Sequence, residues 1–122
     1  MAAKESQLER LKRLCAERRL PETGETTQDG APALHVDGTC FVSLSAPEEM
    51  VLHCPVAQTE LLIEVAPEIY WQNEEHRNGP GLLVRLDRIS DEELALRLVD
   101  AWHFRAPEHL VESYKANRGD DA

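Results

Sequence analysis

The stretch Gly81-Leu82-Leu83-Val84-Arg85-Leu86-Asp87-Arg88-Ile89-Ser90-Asp91-Glu92-Glu93-Leu94 carries a strand and the start of a helix back to back. Leu82 to Leu86 is a stretch of strand length, apolar but for Arg85, and it stops at Asp87. Ser90 followed by Glu93 is a capping-box pattern, in which the hydroxyl accepts from the Glu93 amide and the Glu93 carboxylate reaches back to the Ser90 amide. Ile89 and Leu94 flank it as a hydrophobic staple, and Asp91, Glu92 and Glu93 suit the positive end of a helix dipole. Leu94, Leu98, Ala101, Trp102 and Arg105 then recur at three- and four-residue spacing, which predicts a helix with one core-facing stripe. Asp100-Ala101-Trp102 lies near its end. Pro107 restarts a helix whose Leu110 and Tyr114 continue the packing face.

The same signals place the remaining elements. Ser6 and Glu9 form another capping box, and Leu8, Leu11, Leu14 and Cys15 line one face, so a first helix runs from about Ser6 to Arg18. From Glu22 to Gly30 the chain is polar and aperiodic, and it reads as an exposed connection. Ala33 to Val36 and Thr39 to Leu44 are strands joined by Asp37-Gly38, which fits a two-residue turn with positive φ at both positions. Met50 to Cys54 completes a meander. Pro55 opens a second helix containing Leu61, Leu62 and Val65, which stops at Ala66-Pro67. Ile69 to Gln72 is a fourth strand, and the loop from Asn73 to Gly79 leads to the fifth, Leu82 to Asp87. The order α-β-β-β-α-β-β-α predicts a two-layer α+β domain with a mainly antiparallel five-stranded sheet. One domain of 1–122 is expected, with a core of about 6–116 and flexible ends at 1–5 and 117–122.

Hydrophobic residues make up 42% of the 122 and charged residues 30%, the balance of a globular chain. No apolar run approaches the roughly 20 residues that span a bilayer, and the N-terminus lacks the apolar core of a signal peptide. A cytoplasmic setting is expected, with no membrane contact. Cys15, Cys40 and Cys54 are an odd number without paired spacing, so at least one thiol is free. The net charge is −10, yet residues 1–20 carry six basic against three acidic side chains. The rest of the chain is strongly acidic and repels a phosphate backbone at long range.

Three segments carry a resemblance: 30–38 (Gly-Ala-Pro-Ala-Leu-His-Val-Asp-Gly), 82–87 (Leu-Leu-Val-Arg-Leu-Asp), and Asp100-Ala101-Trp102 through Ala106-Pro107 with Leu110. Over roughly residues 15–116 the chain resembles the MmcQ/YjbR family. The resemblance implies a CyaY-like, or secretion-chaperone-like, fold and little chemistry. It also implies a DNA-binding label of double-wing type, which rests on fold likeness. Leu34 stands where an aromatic is usual in that family, and Asp37 and Thr39 stand where its hairpin often carries basic residues.

No glycine-rich phosphate loop, nucleophile elbow, His-Glu-x-x-His or paired-cysteine zinc spacing is present, so an enzyme is not expected. Hairpin register places His35 opposite Cys40, with His53 on the same sheet face, a donor set that suits zinc. One bulge scatters such a trio, and the expectation is no metal and no cofactor. An acidic metal-handling ridge is not expected either, because the dense cluster Asp91 to Glu93 is explained by helix capping. Trp71, His76 and Arg77 lie near Gly79 on one loop, where aromatic and cationic groups can take an anionic ligand. Arg10, Lys12 and Arg13 on the first helix are the candidate nucleic-acid surface. The leading expectation is a non-enzymatic binding domain with a protein or small anionic partner, and a DNA binder is the alternative.

Overall fold

The computed structural model describes residues 5–77, 79 and 81–117. Helix α1 (Gln7–Glu17) is followed by strands β1 (Thr23–Gln28), β2 (Ala31–Val36), β3 (Thr39–Ala46) and β4 (Glu49–His53). Helix α2 (Val56–Val65), the short strand β5 (Tyr70–Trp71), a 3-10 turn (Glu74–His76) and strand β6 (Gly81–Arg85) come next, and helices α3 (Asp91–Arg105) and α4 (Glu108–Asn117) end the fold. The sheet has six strands in the order β1-β2-β3-β4-β6-β5, and every pairing is antiparallel.

The predicted five-stranded sheet is thus corrected to six strands. Thr23–Gln28, expected as an exposed connection, is the edge strand β1, paired along its whole length with β2. An edge strand shows half its backbone and most of its side chains to water, so it needs no apolar alternation, and polar residues there discourage edge-to-edge association. The turn that follows it carries a legible signal: Asp29-Gly30 (φ 53° and 82°) repeats the geometry of Asp37-Gly38 (φ 50° and 86°).

Both predicted helix starts are present. In α1 the Ser6–Glu9 capping box closes in both directions. In α3, Ser90 accepts from the Glu93 amide. The Glu93 carboxylate is drawn instead to the hydroxyl of Tyr70, at 2.5 Å. Helix α1 ends with the Leu20 amide bonded to the Cys15 carbonyl and the Arg19 amide to that of Ala16, with Arg19 left-handed at φ 57°.

One face of the sheet carries the core. Leu34, Val36, Phe41, Val42, Met50, Leu52, Leu82, Val84 and Tyr70 meet Leu11, Leu14, Leu94, Leu98 and Trp102 in one buried cluster. A bulge assists: His35 pairs with Cys40 and Leu34 with Val42, so Phe41 between them is unpaired and both Phe41 and Val42 are buried. Trp102 is fully buried as its stripe predicts, donates to the Pro21 carbonyl at 3.0 Å, and packs against Tyr114 in a tilted arrangement with ring centroids 5.1 Å apart. Every buried apolar residue of the helices belongs to this cluster. No described helix is long and apolar enough to cross a membrane. Of the ends expected to be flexible, 1–4 and 118–122 lie outside the described residues, while Glu5 pairs with Arg13 and Asn117 closes α4.

Candidate binding face

The opposite face of the sheet is built from the alternate strand positions. Thr26, Ala33, Ser43, Val51, Leu83 and Trp71 are successive partners in one row across all six strands. Ala33, Val51 and Leu83 are buried but stand outside the core cluster. Among the described residues, no buried apolar helix side chain lies outside the core cluster to cover this row.

Several of those side chains lie flat and are basic or aromatic. His35 spreads over Gly24, its partner on β1, so closely that a Cβ there would sit 2.7 Å from its Nε2. His76 lies over Gly81 in the same way, and a Cβ on Gly81 would collide with its ring. Gly81 is in turn the partner of His53 on β4. Two residues along β6, Trp71 flanks Leu83, and the Arg85 guanidinium stands over the Trp71 ring at 5.2 Å from its centroid.

Burial first, then the positive charges of Arg105 and His76, hold His53 below the ordinary histidine value. Arg105 is anchored by its Nε to the Cys40 carbonyl at 3.1 Å. Neither Arg85 nor Arg105 is in an ion pair with any described residue. Glu49 is the partner of Arg85 across the strands, but its carboxylate accepts from Ser45 Oγ at 3.2 Å. The Trp71 Nε1–H is buried with no acceptor among the described residues.

Two of the three candidate loop residues lie on this face. Trp71 and His76 sit on this face, held by Gln72, whose Nε2 donates to the carbonyls of His76 at 2.8 Å and Gly81 at 2.8 Å. Arg77 is exposed and 3.9 Å from Glu74. Asn78 and Pro80 lie outside the described residues. His53 and Arg105 join the site unanticipated by the loop reading; the alternation of β4 and the C-terminal position of Arg105 on α3 are the signals that point to them.

His35 does oppose Cys40, as the hairpin predicts. The Nδ1 of His35 accepts from the Gly38 amide at 3.1 Å, and Cys40 Sγ donates to the Val42 carbonyl at 3.6 Å. Among the described residues no group of three His, Cys, Asp or Glu is placed to hold a metal ion. All three cysteines are free. Burial raises each thiol, that of Cys15 to about 12, so none is an activated nucleophile.

The basic residues of α1 are spent within the fold. Arg10 bonds Asp91 at 2.7 Å and the carbonyls of Leu86 at 2.8 Å and Ile89 at 2.7 Å. Arg13 holds Glu5 at 2.8 Å, Asp91 at 3.0 Å and Glu17 at 3.2 Å, and Lys12 holds Glu25 at 3.0 Å. Any phosphate there would compete with carboxylates already in place.

Over 58 residues, 48% of the chain, the sequence is 34% identical to uncharacterised proteins of Mycobacterium bovis and Mycobacterium tuberculosis. That stretch amounts to 45% of the length of each relative, so the likeness spans less than half of either partner. No family model and no solved structure matches the chain.

Proposed function

We propose that this chain is a non-enzymatic binding domain that recognises a partner protein through the helix-free face of its sheet. One observation carries the reading: on a chain of net charge −10, Arg85 and Arg105 lie near His53 and His76 and are in no ion pair among the described residues. Unused donors grouped on one face are groups a partner can satisfy without breaking internal pairs. The raised thiols and the lack of a recognisable acid, base and nucleophile arrangement support a non-enzymatic role.

The resemblance to the MmcQ/YjbR family belongs to the same proposal, and helices gathered on one face of an antiparallel sheet support a CyaY-like arrangement. Three unpaired cysteines support a reducing, cytoplasmic setting. The DNA-binding alternative draws on Arg10, Lys12 and Arg13, which are held by carboxylates.

A photo-crosslinking residue in place of Thr26 or His35, compared with one in place of Leu96 on α3, tests the reading. Discrete adducts with another protein are expected from the two sheet positions and not from position 96. Adducts from position 96 alone, or equally from all three, would reject this face as the recognition surface.

A further inference from the structure

We propose that the helix-free face takes an extended acidic segment of a partner protein, held by Arg105, beside His53 and His76, at one end and by the Arg85–Trp71 stack at the other. This inference rests on the reading of that face as the recognition surface and names the chemistry of the partner. Along β6, Gly81, beneath His76, and Arg85 are four residues apart, about 13 Å at strand rise. A single small anion reaches one cationic locus. An extended chain with acidic side chains four residues apart reaches both, because such residues share a face at the same rise.

Between the two loci Val51 and Leu83 are buried, so the segment is held at its two ends by charge and not by an apolar seat. Arg85 brings a guanidinium held over the indole, a geometry that keeps its planar fork pre-oriented for a carboxylate or phosphate.

Net charge selects a short acidic segment over nucleic acid. At physiological salt, interactions between exposed charges fade over about 8 Å, so a segment with a few acids feels chiefly the cations it touches. A duplex carries a charge every ~1.7 Å and extends far beyond the patch, where the acidic body of the chain repels it.

The test is an amide and indole NMR titration at 150 mM salt with three probes: a capped nine-residue peptide bearing glutamates four residues apart, its glutamine counterpart, and a 20-base-pair DNA duplex. The glutamate peptide is expected to shift His53, Val51, Leu83 and the Trp71 indole, with the glutamine peptide binding at least tenfold more weakly and the duplex leaving the face unshifted. Arg85→Gln and Arg105→Gln should each weaken the glutamate peptide several-fold with thermal melts within a few degrees of the wild type; the wild-type titration decides the matter if either variant fails to fold. Equal binding of the glutamine peptide would overturn the acidic inference while leaving the face itself intact. Tighter binding of the duplex at the same residues, or no shift there with either peptide, would also overturn it, and the crosslinking comparison judges the face independently.

Discussion

Helix α1 and the helix-free sheet face both carry cations on a strongly acidic chain, and they deploy them in opposite ways. On α1, Arg10, Lys12 and Arg13 are each closed on carboxylates, and Arg10 also caps the carbonyls of Leu86 and Ile89 ahead of α3. On the sheet face, Arg85 is held by an indole ring and Arg105 by a carbonyl, and neither is in an ion pair with a described residue. Charge in a sequence therefore does not locate a site. What separates an anchoring cation from one available to a ligand is whether the fold already supplies its counter-charge.

The largest expected effect sharpens that contrast. Arg10→Ala removes a guanidinium that is 14% exposed and strands the carbonyls of Leu86 and Ile89, while Asp91 keeps Arg13, and it should cost about 2–3 kcal/mol in urea denaturation. Arg85→Ala should cost under about 1 kcal/mol, the worth of an isolated cation–π contact near the surface. Equal losses would break the distinction between the two regions. Next in size, Gly81→Ala forces the His76 ring off the sheet and should cost about 1–2 kcal/mol, with large shifts of His76 and His53 resonances.

Acid titration should separate the regions by pH. His53 is depressed in the folded state, so the unfolded chain takes up its proton first; stability falls as pH drops below about 6.5 and the loss is complete below the depressed value. His53→Gln should abolish that step in denaturation curves recorded across this range. Asp91 is held below the usual carboxylate value by Arg10 and then Arg13, so its contribution is present above 3.8 and is lost as pH falls through the depressed value. A single step for both would contradict the assignment. Smallest of all, Lys12→Ala should change stability by less than about 1 kcal/mol, since its pair with Glu25 is half-exposed on both sides.

Local chemistry is legible in the amino-acid sequence wherever the interacting residues are near neighbours along the chain. The Ser6 cap, the Leu94–Leu98–Trp102 stripe and the Asp37-Gly38 turn each depend on residues within a turn or two of one another, and each forms. Strand β1 leaves no such pattern because an edge strand is stabilised by its partner and not by its own side chains. The second half of the Ser90–Glu93 box fails for a related reason: Tyr70, 23 residues away, competes for the Glu93 carboxylate. The candidate site divides likewise. Trp71 and His76 stand out as loop residues, but their association with His53 and Arg105 is set by strand order and by the reach of α3, which no spacing within the loop encodes.

The most direct measurement is to follow the arginine side-chain Nε–H resonances of Arg10, Arg13, Arg85 and Arg105 while poly-glutamate is added at 150 mM salt. With their counter-charges in place, Arg10 and Arg13 should stay unmoved while Arg85 and Arg105 shift together and saturate. Shifts of Arg10 and Arg13 with Arg85 and Arg105 silent would place the recognition surface on α1 and contradict the account.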